Sequence, residues 1–213
     1  AEAACGRAIA LDPDLATGHV NLGYVYRERG DADRAIACWR AQMNRFPDDV
    51  DFRTNLALAL LARGEYEEGW RLYEWRFRTD TLAPAVRDYP QPVWDGGDPA
   101  GRTILIDAEQ GIGDAIQFLR FAEPLARRGA TVIAEAPRRL HRLLRTMPGI
   151  AMLVDPKDPR PAFDCHAPLM SLPHLLDTRL ETVPADIPYL HPEPALVARW
   201  RDRLAALPGP RIG

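Results

Sequence analysis

The sequence predicts a two-part fold, an N-terminal array of α-helical hairpins followed by a doubly wound α/β domain on a parallel sheet. Three observations predict it. Residues recur with a period of 34 in the first third, a Pro- and Gly-rich stretch breaks the helical pattern near residue 80, and from residue 103 short apolar runs alternate with helical patterns. A chain of 213 residues suits one or two domains at roughly 100–200 residues each, and the change of texture near the middle favours two.

The period is carried by Pro13 and Pro47, Asn21 and Asn55, Leu22 and Leu56, and Gly30 and Gly64, each pair 34 residues apart. Within one unit stand Leu22, Gly23, Tyr26, Ala35, Trp39 and Pro47, with His19 in the leading aromatic position. Small Gly23 and Ala35 suit a close helix crossing, and Leu22, Tyr26, Ile36 and Trp39 would fill the space between helices. Gly30 and Gly64 mark turns in which glycine accepts a left-handed backbone. Pro13 and Pro47 stop a helix, and the acids beside them favour the next N-terminus. Helices are therefore expected near 1–11, 15–29, 32–45, 49–63 and 66–78. Spacing and pattern together resemble the tetratricopeptide repeat (TPR), whose helix pairs stack because none buries its apolar face alone.

In the third unit Thr81 stands where the proline should be. The run from Glu67 to Phe77 is rich in Trp and Tyr, which suits a terminal helix packing its aromatic face on the next part of the chain. TPR arrays hold a protein or peptide in a concave groove. Asn21 and Asn55 occupy equivalent positions there and resemble the asparagine ladder that grips a peptide backbone in some arrays, since an amide both donates and accepts. The alternative is a pair of asparagines on a solvated or intra-repeat polar face.

Residues 79–100 read as an ordered linker, with Pro84, Pro90, Pro92, Pro99 and Gly96-Gly97, and with Tyr89, Val93 and Trp94 as anchors. The run Thr103–Ile106 suits a buried parallel strand. Alternation continues with a helix over 114–128, strands at 131–135, 151–154 and 163–167, and helices over 138–146, 171–177 and 193–207. The domains expected are 1–78, a linker at 79–100, an α/β domain over 101–210 and the start of a further domain at 211–213. A chain beginning at Ala1, on a helix with no partner before it, and ending on a strand-like Arg211-Ile212-Gly213 reads as an excised piece of a larger protein.

A net charge of −3 and a pI near 6.0 argue against nucleic acid as a partner, because binding its backbone needs a basic footprint. No apolar run approaches the roughly 20 residues of a membrane span, and no signal peptide is legible, so a cytoplasmic protein is expected. Cys5, Cys38 and Cys165 are scattered, which indicates neither a disulfide framework nor a metal site, and they read as small buried residues.

The stretch from Ala108 to Phe118 (AEQGIGDAIQF) lies between the first strand and its helix, where open α/β sheets place ligands. Its glycines permit a tight turn, and amides at a helix start favour anions. Ile116 stands where a dinucleotide fingerprint needs glycine, so no nicotinamide or other cofactor is implied. Together with Trp94-Asp95-Gly96 and the run Pro168–Pro173, this stretch resembles bacterial proteins that join TPRs to a glycosyltransferase module related to the heptosyltransferases. Those enzymes have the GT-B fold, two facing Rossmann-like halves. The resemblance implies that the α/β part is the N-terminal half, which receives the acceptor, while a nucleotide-sugar donor binds the other half in the full-length parent.

The resemblance also implies that Asp114, of the Gly113-Asp114 pair, is the catalytic base that takes the acceptor's proton. As a residue type, Asp at a helix start equally well serves as a cap. Glu109, Gln110, Gly111, Gly113 and Gln117 are substrate-binding candidates on the same turn. His166 and Ser171, which flank the end of the strand at 163–167, join them. A lone His is commonly a structural hydrogen-bonding residue, and the basic run over 138–145 reads as a solvated helical face. Three functions stay open: a fragment of a nucleotide-sugar transferase acting on a protein or saccharide, inactive by itself; a protein-binding scaffold whose α/β module has no chemistry; and a purely structural repeat protein.

Overall fold

The computed structural model describes residues 1–80, 82, 88–109, 111–205 and 209, and its first elements follow the repeat. The helices are α1 (Glu2–Leu11), α2 (Ala16–Glu28), α3 (Ala32–Gln42), α4 (Val50–Ala62) and α5 (Tyr66–Tyr73), with a 3-10 continuation over Glu74–Arg78. Each lies within a few residues of its expected span, except that the last one tightens at Glu74 instead of running on as α-helix. No strand precedes residue 79 among the described residues.

Local chemistry explains the boundaries. Gly30 (φ +79°) and Gly64 (φ +81°) end α2 and α4 in the left-handed conformation that glycine adopts without strain. The Asp31 carboxylate accepts from Arg34 N at 3.1 Å, and that of Asp49 accepts from Asp51 N at 2.9 Å and Phe52 N at 3.3 Å, so both cap the next helix. Neighbours α2 and α3, and α4 and α5, pack on each other. The Trp39 ring lies where a Cβ on Gly23 would stand, only 2.2 Å from its Nε1, so glycine is the residue that lets α2 and α3 approach. Trp39, Phe52, Leu56 and Leu60 are fully buried in this core.

The second architecture is a four-stranded parallel sheet: β1 (Thr103–Asp107), β2 (Thr131–Glu135), β3 (Ile150–Val154) and β4 (Cys165–Pro168), in the order β3-β2-β1-β4. Parallel strands need crossovers, and the chain supplies α6 (Ile112–Phe118) with a 3-10 turn and α7 (Ala122–Arg127), then α8 (Arg138–Leu144). The helix expected over 114–128 is thus two short helices. Ile104, Leu105 and Ile106 are wholly buried, as a central parallel strand requires. Beyond the sheet come α9 (Leu172–Leu175) and α10 (Pro194–Ala205).

The chain divides into two compact units. The helical unit holds the described residues up to Pro90 together with Met170–Val183, and the sheet unit holds Gln91–Leu169 with the described residues from Pro184 on. The segment 170–183, expected inside the α/β domain, groups with the helices because α9 packs on α5 and Ser171 is bonded there. Within residues 79–100, Trp94 is buried with its N–H on His166 O at 2.7 Å, whereas Val93 is exposed. Thr81, Pro84 and residues 211–213 lie outside the described residues. Cys165 is buried, but Cys5 and Cys38 are only partly so. No helix of the described residues is long and apolar enough to cross a membrane.

Candidate functional site

In the sheet unit the carboxyl ends of β1 and β4 form the natural ligand position. From β1 the chain crosses one way to β2 and β3, while β4 lies on the other side, so the strand order reverses between β1 and β4. Open α/β sheets bind ligands outside the strand ends at such a switch point. Asp107 ends β1, and the turn from Ala108 leads into α6.

On α6, Asp114 is half-buried, and its Oδ2 accepts from Gly111 N at 2.9 Å. That bond pins the start of α6 and aims the carboxylate back along the turn. A Cβ on Gly113 would meet nothing within 4 Å, so backbone and open space adjoin there. Glu109 is half-buried at the end of β1, and Gln117 is exposed one turn further along α6. Gln110 lies outside the described residues.

His166 sits beside Leu105 in the β4 register. With a side-chain period of two, Asp107 shares that face, and its Oδ2 lies 3.2 Å from His166 Nδ1. Because a carboxylate only accepts, the Nδ1–H donates, which fixes the imidazole's tautomer and orientation. Asp107 and His166 are 2% and 4% exposed, so this pair supports the rim from beneath. Asp107 escaped sequence reasoning, although an acid closing an otherwise apolar buried run is a legible signal.

The remaining candidates are placed differently. Ser171 belongs to the helical unit, where its hydroxyl donates to Glu74 Oε2 at 2.9 Å and accepts from Arg76 Nη2 at 2.8 Å. Arg76 is itself buried and bonded to Glu74 Oε1 at 2.7 Å, so Ser171 is engaged in a structural network. Asn21 is exposed, while Asn55 is buried and donates through Nδ2 to Asp51 O at 2.8 Å. The two amides are therefore not presented alike, as rungs of one ladder would be. The basic run on α8 is largely occupied: Arg142 pairs with both oxygens of Glu193, Arg138 binds Asp158, and buried His141 bonds Ala136 O at 2.8 Å.

No family model matches the chain. It is 29% identical to Protein FlbA of Caulobacter vibrioides over 97% of its own length, and it spans 38% of that protein. A solved structure of an O-GlcNAc transferase mutant from Thermobaculum terrenum aligns with 73% of this chain and 31% of its own, at 23% identity and a TM-score of 0.35. The alignment with FlbA spans both units.

Proposed function

We propose that this chain is the repeat region and acceptor-side half of a TPR-containing glycosyltransferase, in which the helices hold a protein or peptide and the α/β unit forms one wall of a nucleotide-sugar transfer cleft. The observation that carries the reading is the turn at the carboxyl end of β1, which sets the half-buried carboxylate of Asp114 beside an open Gly113 at the strand-order reversal. Asp114 Oδ1 has no partner among the described residues, so one oxygen can accept a proton from an acceptor hydroxyl while Oδ2 stays on Gly111 N. Glu109, Gln110, Gly111, Gly113 and Gln117 would border the acceptor, and His166, held by Asp107, would support the rim. Of the two asparagines, exposed Asn21 is the one available to a peptide.

The donor, a nucleotide sugar, is assigned to a second α/β half in the parent protein. No metal or cofactor is part of this reading. The test is sugar transfer by the longest natural polypeptide containing this chain. Asp114→Asn is expected to lower kcat by about 100-fold or more, as loss of a general base does, while keeping an oxygen for the cap. Full activity in Asp114→Asn would leave Asp114 a cap alone. It would then favour a second reading, a non-catalytic interaction scaffold, which the Asp114–Gly111 bond also fits. The chain from 1 to 213 is expected to show no transfer, and transfer by it would show the donor site misplaced.

A further inference from the structure

The helical unit contains a small cavity of its own. It holds about 190 Å3 and lies between α5 and the segment from Pro173 to Arg179, all within that unit. Its apolar wall comes from Tyr66 and Trp70, half-buried rings 6.2 Å apart, and from buried Pro173. Arg71 and Arg179 line it as well. Arg179 is held only loosely, 3.9 Å from Glu67, and Arg71 has no ion pair or hydrogen bond among the described residues. The His174 ring adds a further polar group to the lining. A site whose one compensated cation is weakly paired and whose other is unpaired, set against aromatic rings, suits an anion carried on a flat body.

Two further features narrow the ligand. Asp177, also in the lining, takes a left-handed φ of +48°, a conformation that costs a non-glycine residue and that recurs at ligand sites. The carboxylates of Glu67 and Asp177 make the lining mixed in sign, so a doubly charged anion gains less than a singly charged one. A volume of about 190 Å3, below the roughly 300–1,000 Å3 of drug-sized sites, suits a single ring with one short substituent, whose polar end lies toward the adjoining open groove of about 630 Å3 that Arg71 and Arg179 also line. We infer that this cavity binds a small ring-bearing carboxylate, with its carboxylate on Arg71 and Arg179 and its ring against Tyr66 and Trp70.

The probe is benzoate, titrated calorimetrically into the full chain alongside phenyl phosphate and benzylamine. Benzoate should bind, with amide shift changes confined to α5 and residues 173–181, and more tightly than either of the other two. Arg71→Gln and Arg179→Gln alter exposed side chains that do not build the core, and each should weaken benzoate by about tenfold, as loss of one charge-assisted contact does. No benzoate binding up to about 10 mM overturns the inference. So do equal or tighter binding of benzylamine or phenyl phosphate, shifts that map elsewhere, and affinity unchanged in both Arg variants.

Discussion

Helices α1–α4 and the strand ends of the sheet unit satisfy their buried polar groups differently. In α1–α4, such groups bond to backbone: Asn55 reaches Asp51 O four residues back, His19 reaches Pro13 O six residues back, and the Trp39 indole donates to Val20 O, whereas Arg76 and Ser171, elsewhere in the helical unit, bond each other across 95 residues. In the sheet unit, polar side chains cluster at strand ends and pair across long stretches of chain. Asp107 meets His166 from 59 residues away, and Glu135, wholly buried at the end of β2, takes Arg160 from 25 residues away. A parallel sheet leaves the carboxyl ends of separate strands side by side, so charged groups meet there only after the sheet has formed. That rim is where charged groups from separate strands meet.

The strongest test of this contrast is Trp39→Ala. The ring is wholly buried against Gly23, and its removal leaves a void that the close helix crossing cannot fill. Loss of about 3–5 kcal/mol is expected in urea unfolding. A loss under about 1 kcal/mol would mean that the helical core does not rest on this interlock.

A smaller effect is expected where the sheet unit relies on a paired carboxylate. Asp107→Ala removes the acceptor beneath His166 Nδ1 and should destabilise by about 1–3 kcal/mol, whereas Asp107→Asn, which keeps an oxygen, should cost less. If both variants cost the same, the hydrogen bond is not what holds the imidazole. An NMR measurement of the His166 tautomer would then report no change.

The same division explains what the sequence revealed. Helix ends, the close helix crossing at Gly23 and the strand at 131–135 were legible because glycine, proline and apolar spacing act within a few residues. The stretch from Ala108 to Asp114 stood out in the sequence as a candidate because its glycines and acid are contiguous. What escaped was non-local: the Asp107–His166 pair, the Glu135–Arg160 pair, and the engagement of Ser171 by Arg76 and Glu74 across some 95 residues. Ser171 looked like part of the strand rim because it follows β4 closely in sequence. Only the packing of α9 on α5 draws it to the helices. Asn21 and Asn55 looked equivalent because period is a property of sequence, but burial depends on what stacks alongside, and it differs between them.

The smallest expected effect concerns a non-local contact that is exposed, which separates distance in sequence from burial as the source of strength. Asp155, just after β3, accepts from Lys157 N at 3.1 Å and from Arg138 N, at the start of α8, at 2.7 Å. These two amides, that of Lys157 foremost, hold its carboxyl below the ordinary range. The folded protein therefore releases this proton more readily than the unfolded chain does. The resulting stabilisation is complete above the unfolded carboxyl's pKa and is lost as pH falls through the lower folded value. In an acid titration followed by NMR, the Arg138 amide should move with the Asp155 carboxyl at a pH below the ordinary carboxylate range. In Asp155→Asn that movement should vanish, while the neutral side chain keeps a weaker cap on α8. An Arg138 amide that titrates in the ordinary range would show that the contact is too exposed to bias the carboxyl. Burial, and not reach across the chain, would then be what strengthens the sheet unit's pairs.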